Sequence, residues 1–514
     1  MKIMKKHFFL LLLAVMQTTG IVAQNDLFLQ IDEPEYVDLN NSGERIDKVI
    51  TKNSKTLVYL SCSGASEANV IVPKNTYVVD ENGEKYNVIK AKGLSLGTKK
   101  KIGKGGRLSY ILTFPSLPKG TKSFDLVQSH NMVKTYYFNI HQAGSKGNID
   151  TVVDTVGTYE AINKTYPDNM FRKSTVRFSG RFKGSKIFES GRYAISFVTP
   201  IPSLYGKEFT KQFDVNPDGT FTADIPVFGP TWTELIVLIP GTSVVSRTIP
   251  VMLCPGDNLS LVVEDYDSEF AKYHWTSNFD YNERFVEMCD VFPARHPIYR
   301  EGQSLNIDSL KQTVTANEQV ACYLSNKYNL SKAERALLLT QANMSKVCEA
   351  LRTIDQYVLS NKSAYFKSLN KAYPTPAQFD TLQTICKSQL YSILSLLYAD
   401  NKAFLVVPSL QSLTRIINAS PLFHSITYSN NYFSIPKDYR LLYCNDNAVH
   451  LLRIFRDKPI GKDRLFEQWF RIADMEAGND FGMSMDSLHE AYKMKVETVT
   501  LPVFSSWKSE LLNE

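Results

Sequence analysis

The sequence predicts a multidomain β + α protein, with two β-sandwich-like modules followed by an all-helical domain. Its 514 residues suffice for roughly three or four domains, since one domain typically holds about 100 to 200 residues. Short apolar runs rich in β-branched and aromatic residues occupy the first half of the chain, whereas apolar residues beyond Tyr281 recur with the helical period of about 3.6. Apolar residues make up 43% of the chain and charged residues 21%, so the composition disfavours disorder, collagen and coiled coil.

Residues 1–23 have the pattern of a secretory signal peptide. Met1–Lys6 carries three lysines, Phe8–Val15 is an unbroken apolar run, and Gly20–Ala23 precedes a polar stretch that opens at Gln24. The apolar run is far shorter than the roughly 20 residues that a transmembrane helix needs. We therefore expect a periplasmic or secreted protein with no transmembrane span.

The charge balance argues against nucleic acid as a partner. The chain has 58 basic and 52 acidic side chains, a net charge of +6, and removal of Lys2, Lys5 and Lys6 with the signal peptide leaves +3. This excess is much smaller than the strongly basic balance of nucleic-acid-binding domains.

Residues 24–140 are predicted to form the first β-sandwich-like module. The runs Thr56–Leu60 and Tyr110–Phe114 are too short for a typical helix and rich in side chains that pack well on a pleated surface. The Asn-Gly pair within Asp80–Gly83 favours the positive φ angles of a tight turn and therefore places a hairpin there.

Residues 141–167 are predicted to be a linker, and residues 168–270 the second β-sandwich-like module. The linker is rich in Gly, Ser, Asp, Thr and Asn, which cannot bury enough apolar surface to offset the entropy cost of ordering. In this module, apolar residues alternate over Val176–Phe182 and Leu259–Val263, and Leu235–Leu238 is a short apolar strand. Turns in which Pro comes shortly before Gly are predicted at Pro217–Gly219 and Cys254–Asp257.

Residues 281–500 are predicted to form the helical domain, followed by a C-terminal tail over 501–514. Ser331–Glu334 has the spacing of a capping box, and Thr375-Pro376 provides a second helix start. Apolar residues at helical spacing follow each start: Leu337, Met344, Val347, Leu351, Ile354 and Val358, then Phe379, Leu382, Cys386, Ile393 and Leu397.

The cysteines and histidines give no sign of a redox pair, a metal site or a cofactor. None of the cysteines forms a C-x-x-C motif, and no histidine lies in an H-E-x-x-H motif. The seven cysteines are Cys62, Cys254, Cys289, Cys322, Cys348, Cys386 and Cys444. Cys348 and Cys386 lie on apolar helical stripes, so the sequence favours buried thiols, while disulfides between the scattered cysteines stay open.

One short motif matches a catalytic pattern. Gly93–Gly97 reads G-x-S-x-G, the pattern of the nucleophile elbow that places a serine between a strand and a helix. The glycine- and lysine-rich residues that follow, Lys99–Gly106, are unsuited to the required helix. We therefore expect Ser95 to be a chance match and the protein, on balance, not to be an enzyme.

Two groups of residues are candidate ligand-binding sites. Gly97–Lys104 lacks the spacing and the hydroxyl residue of a phosphate-binding loop, and a solvated basic hairpin is the simpler interpretation. Its cations could still contact an anionic surface or a glycan phosphate: Lys99, Lys100, Lys101, Lys104 and Arg107. The second group, Tyr428, Tyr432 and Phe433, either binds a peptide or sugar or packs against its own domain.

Four segments resemble the N-terminal region of extracytoplasmic TlpA-like thiol-disulfide oxidoreductases of Gram-negative bacteria: Tyr77–Tyr86, Leu112–Gln128, Asp218–Val227 and Met252–Asp265. In that family, β modules and a helical segment precede a C-terminal thioredoxin domain. Here the sequence runs only ten residues past Leu501–Phe504, where that domain would begin, and has no C-x-x-C motif. The resemblance therefore does not carry over the redox activity, and implies either a stand-alone accessory protein or a shortened oxidoreductase.

The expected function is that of a non-catalytic, exported cell-envelope protein for binding or scaffolding, with an envelope protein, peptide or glycan as partner. The alternative is an accessory component of a thiol-disulfide redox pathway that acts with a separate thioredoxin-like protein. A hydrolase acting through Ser95 is a third, disfavoured hypothesis.

Overall fold

The part of the chain that the structure describes is mostly β-sheet, with a few helices in its C-terminal part. Its contacts divide it into two units, the first comprising residues 1–152 and 322–329 and the second residues 153–321 and 330–514. The computed structural model describes residues 27–38, 43–64, 69–130, 133–145, 161–162, 164–170, 174–184, 188, 193–200, 208–227, 229–238, 245–267, 271–279, 291–292, 305–368, 389, 392–398, 403–410, 412–413 and 416. The predicted signal peptide lies outside this part of the chain.

In the first unit, the described residues form two five-stranded sheets and a small two-stranded ribbon. The first sheet has the order β1-β3-β4-β10-β8, the second the order β2-β12-β11-β6-β7, and β5 pairs with β9. The described strands are β1 (Leu27–Asp32), β2 (Glu35–Asp38), β3 (Glu44–Lys52), β4 (Lys55–Ser63), β5 (Asn69–Val70), β6 (Tyr77–Val79), β7 (Lys85–Asn87), β8 (Lys90–Lys92), β9 (Lys100–Lys101), β10 (Arg107–Phe114), β11 (Ser123–His130) and β12 (Val133–His141).

Apolar side chains from both sheets form one core in the first unit. Val58 and Leu112 from the first sheet and Phe124 and Leu126 from the second are all fully buried members of this core. The two predicted apolar runs lie in β4 and β10, which pair antiparallel with Tyr110 opposite Leu60. The prediction of strands at both places is therefore confirmed.

The predicted hairpin joins β6 and β7. Val79 pairs with Lys85 across it, and Gly83 has the positive φ of 83° that the Asn-Gly pair favours. Asp80 holds the turn together, because its Oδ1 accepts hydrogen bonds from the backbone N–H groups of Asn82 and Glu84 at 2.9 Å each.

The described residues of the second unit also form two sheets, each with four strands. One has the order β16-β13-β19-β20, in which β13 and β19 run parallel, and the other has the order β15-β14-β17-β18. The described strands are β13 (Ser174–Phe182), β14 (Tyr193–Pro200), β15 (Glu208–Val215), β16 (Thr220–Val227), β17 (Thr231–Leu238), β18 (Val245–Leu253), β19 (Asn258–Glu264) and β20 (Lys272–Thr276). Strand β20 lies entirely beyond residue 270, the predicted end of this module, and Ile162 and Tyr166 of the predicted linker are buried.

Gly180 explains why a glycine interrupts the apolar alternation of β13. It lies between β16 and β19, and a Cβ atom added there would stand 2.3 Å from Phe221 Cζ and 2.4 Å from the Leu261 carbonyl oxygen. Both predicted Pro-Gly turns are also present, with φ angles of 81° at Gly219 and 78° at Gly256.

The described helices are α1 (Ile307–Lys327), α2 (Lys332–Ser368) and the short α3 (Ala403–Val406), together with a 3-10 turn at Asp168–Met170. The predicted capping box begins α2: Ser331 N donates to Glu334 Oε2 at 2.9 Å, and Glu334 N donates to Ser331 Oγ at 3.3 Å. Among the described side chains of the predicted α2 stripe, Leu337, Met344, Val347, Leu351 and Ile354 are all buried.

Within the part of the chain that the structure covers, no helix has the length and apolar character required to cross a membrane.

Candidate functional site

Four side chains line up in one row across the first sheet of the first unit. Lys48 of β3 is opposite Tyr59 of β4, Tyr59 is opposite Ile111 of β10, and Ile111 is opposite Lys92 of β8. Direct cross-strand partners project from the same face of a sheet. This set, the Tyr59 row, therefore lies on the face opposite to the core side chains of the same strands.

The Tyr59 row lies in an open groove of about 500 Å³. Gly93, which follows β8, lets that strand approach β10 closely at the edge of this groove. Its φ is 98°, and an added Cβ atom would lie 2.9 Å from the Ser109 carbonyl oxygen. The groove is lined by Asp47, Lys48, Tyr59, Leu60, Lys92, Gly93, Ser109, Tyr110 and Ile111.

On the β3 side of the groove, the cations already have carboxylate partners. Lys48 Nζ lies 2.8 Å from Asp32 Oδ1, and the hydrogen bond from Lys48, followed by one from Gln30, lowers the pKa of Asp32. Asp47 Oδ1 lies 3.5 Å from Arg45 Nε and 3.9 Å from an Arg107 guanidinium nitrogen. This side of the groove is therefore close to electrically neutral.

On the β8 side, the cations are exposed. Lys90 and Lys92 project from the same face of this short edge strand, and Ala91 between them faces the core. Within the described residues, neither lysine has an ion-pair partner. The positive charge on this side is thus carried by Lys92, which lines the groove, and by Lys90 beside it.

The predicted basic hairpin continues from this side of the groove. Residues 90–107 contain seven basic residues and no acidic ones. Lys99, Lys100, Lys101 and Lys104 are all exposed. They lie in the connection from β8 to β10, which buried Leu94 and Ile102 anchor to the core.

Arg107 is the one residue of the predicted basic set that the structure brings to the groove. It is the first residue of β10, and its guanidinium donates a hydrogen bond to Ser61 Oγ at 3.3 Å. The same guanidinium lies 3.9 Å from Asp47 Oδ1, and Asp47 lines the groove. Tyr428, Tyr432 and Phe433, the other predicted ligand-binding residues, lie outside the described residues. The Tyr59 row itself was missed from sequence, because its members come together only through strand register.

Ser95 does not occupy a nucleophile elbow. It is exposed in a turn in which Thr98 N donates to the Ser95 carbonyl oxygen at 3.2 Å, and the chain continues into strand β9 rather than a helix. Since the elbow requires a helix directly after the serine, the G-x-S-x-G match is a chance match, as predicted. No group of His, Cys, Asp or Glu side chains among the described residues is suited to bind a metal ion.

Four cysteines lie in the described part of the chain, and all four are buried: Cys62, Cys254, Cys322 and Cys348. Burial raises the pKa of Cys348 to about 12 and raises that of Cys254 further still. Burial, and then the charge of Glu44, raises the pKa of Cys62. Because the thiolate is the nucleophile in disulfide exchange, these positions are poor participants in it.

We expect Cys254 and Cys348 to resist alkylation in the native protein. At pH 8, iodoacetamide should modify them at least about a hundredfold more slowly than a free cysteine, because their thiolate fraction is very small. Peptide mapping by mass spectrometry reports each site separately, and the same reaction in denaturant is the control. Rapid labelling of Cys348 under native conditions would contradict its burial.

Comparison of the chain with protein-family models and with curated proteins finds no match.

Proposed function

We propose that this protein is a non-catalytic, exported cell-envelope binding protein whose first unit holds an anionic ligand. The observation that carries the proposal is the pair of exposed cations, Lys90 and Lys92, beside a groove with an aromatic and aliphatic floor. The exposed basic hairpin that follows β8 extends the same positive surface.

Electrostatics favours a ligand with several negative charges. At 0.1 M salt, screening limits the electrostatic attraction exerted by each lysine to about 10 Å. Neighbouring lysines nevertheless add up to a positive potential that concentrates ligands of negative charge. The paired Lys48 contributes little to this attraction. The ligand's anionic groups are therefore expected at the β8 side, with the rest of the ligand extending over the Tyr59 row.

The architecture supports a binding and scaffolding role. The two sheets that share a core in each unit support the β-sandwich-like arrangement predicted from sequence, and α1 and α2 support a helical domain in the C-terminal half. The signal-peptide pattern at residues 1–23 supports export. The burial of Cys62, Cys254, Cys322 and Cys348 weighs against thiol-disulfide exchange at these four positions, which the alternative of a redox-pathway component could otherwise use.

The test is binding of two unrelated polyanions, sodium polyphosphate and oligogalacturonate, by titration calorimetry at low and moderate salt. We expect binding that weakens with added salt, and a further loss of at least about tenfold in the double variant Lys90→Glu, Lys92→Glu. The matched control is Lys119→Glu, Lys122→Glu, which makes the same change in net charge at two exposed lysines of the same unit. Absence of binding by both polyanions, or an equal loss in the control variant, would overturn the proposal.

A further inference from the structure

We infer that the ligand of this groove is an acidic polysaccharide, with a sugar ring stacked on Tyr59 and its anionic group at Lys90 and Lys92. This inference rests on the proposed function and adds the class of ligand. It is carried by the floor of the groove and by the kinds of polar atoms that line it.

The floor suits a sugar ring. Tyr59 and Ile111 are direct partners on the two neighbouring strands β4 and β10, and both are half-buried. They form an apolar platform between Lys48 at one end of the row and Lys92 at the other. An aromatic ring buries the apolar face of a flat ligand and leaves the ligand's polar edge in water, and a pyranose ring has both features.

The lining includes an acceptor that a purely anionic ligand would avoid. The Asp47 side chain is 30% exposed and lies in the same groove as Lys92 and the exposed Ser109. A carboxylate accepts hydrogen bonds from hydroxyl groups, and it repels other anions. Sugar hydroxyls can donate to Asp47 while a uronate or phosphate group on the same polymer reaches the lysines.

The shape argues against other polyanions. A volume of about 500 Å³ lies within the range of about 300 to 1,000 Å³ typical of small-ligand sites. A flat lipid surface would meet the exposed lysines but would not reach half-buried Tyr59. An acidic peptide that adds a strand would pair with the edge strand β8 and lie beside the sheet, so it would not cover Tyr59 and Ile111, whose strands are paired on both sides.

The test compares oligogalacturonate with polyphosphate of similar charge by titration calorimetry. Tyr59→Ala should weaken oligogalacturonate binding at least about tenfold and change polyphosphate binding less than about twofold. Tyr59→Phe should retain most of the affinity, because the ring is kept. Tyr77→Ala, which removes a half-buried tyrosine from the second sheet, is the matched control.

Tyr59→Leu provides a second variant, since leucine keeps an apolar side chain in the strand and removes the aromatic ring. Equal binding of both polyanions with no effect of Tyr59→Ala or Tyr59→Leu would overturn the inference and leave the proposed anion-binding function standing. Binding of polyphosphate without binding of oligogalacturonate would also overturn the inference and leave the proposed anion-binding function standing. Binding of neither polyanion would overturn the proposed function itself.

Discussion

Replacing Lys327 by methionine should speed hydrogen exchange in β11 and β12 by at least about a hundredfold. Lys327, at the end of α1, belongs to the first unit, and its Nζ lies 2.7 Å from Asp125 Oδ2 of β11. The two side chains are only 3% and 2% exposed. Methionine keeps the apolar stem of the lysine but leaves the Asp125 carboxylate buried without its counter-charge. Loss of one partner of a buried ion pair costs about 3 to 5 kcal/mol, and each 1.4 kcal/mol is tenfold in an equilibrium constant.

Further hydrogen bonds fix this carboxylate in place. Asp125 Oδ1 accepts from Tyr323 Oη at 2.9 Å and from Asn139 N at 2.8 Å, while Lys327 Nζ also donates to the Val79 carbonyl oxygen at 3.3 Å. Burial, and then the negative charge of Asp125, raises the pKa of Tyr323, so its phenol remains a donor. These donors hold the Asp125 carboxylate at a position that is only 2% exposed, so we expect it to stay buried when methionine replaces Lys327.

Mass spectrometry of peptides from the first unit measures this exchange. Lys346→Met is the matched control, since its ion pair with Glu349 is partly exposed and joins residues three apart on one helix. We expect the control to change stability by less than about 0.5 kcal/mol. The double variant Asp125→Asn, Lys327→Met removes both charges and should be less destabilised than Lys327→Met alone. Exchange within threefold of the native rate in Lys327→Met would contradict a dominant role of the pair.

The sequence predicted those features that depend on local backbone chemistry. The hairpin at Gly83, the Pro-Gly turn at Gly256 and the capping box at Ser331 each depend on residues within one turn of the chain, so their signals are complete in a short window. The strands could be predicted for the same reason, because the alternation of apolar residues and the content of β-branched residues are properties of a short segment of sequence.

The features that depend on register or distant contacts could not be predicted. Asp125 and Lys327 are 202 residues apart, and neither residue differs locally from a solvated charge. The Tyr59 row requires the register of three strand pairs, and a shift of one residue would turn Tyr59 into the core. Arg107 was identified by its charge, but its place beside Asp47 follows only from the pairing of β10 with β4 and of β4 with β3.

Glu44 provides the second large expected effect, because it links the two sheets of the first unit. Its Oε1 accepts from Tyr110 Oη at 2.8 Å, and its Oε2 accepts from Tyr137 Oη at 2.7 Å and from Gln128 Nε2 at 2.9 Å. Glu44 and Tyr110 belong to the first sheet, whereas Gln128 and Tyr137 belong to the second. Burial, and then the charge of Glu44, raises the pKa of Tyr110, which keeps this phenol neutral and able to donate.

Glu44→Ala should lower the free energy of unfolding of the first unit by about 3 to 5 kcal/mol. The substitution removes the carboxylate that accepts three hydrogen bonds from buried donors, and each hydrogen bond to a charged group contributes about 1.5 to 3 kcal/mol, with incomplete additivity. Tyr137 is fully buried and Tyr110 is 2% exposed, so water cannot replace the carboxylate without opening the core. Exchange of β3 and β12 amides reports this loss on both sheets at once.

Two further variants separate the hydrogen bonds from general effects of the substitution. Glu44→Gln keeps one acceptor oxygen but turns an amide group toward a donor, so we expect an intermediate loss of about 1 to 2 kcal/mol. Glu84→Ala, at an exposed position of the β6–β7 turn, should change stability by less than about 0.5 kcal/mol. If Glu44→Ala accelerated exchange in β3 but not in β12, the carboxylate would serve only its own sheet, and its role in joining the two sheets would be refuted. The three hydrogen bonds of Glu44 join donors from both sheets, so we expect Glu44→Ala to reduce protection from exchange by a similar amount in β3 and in β12.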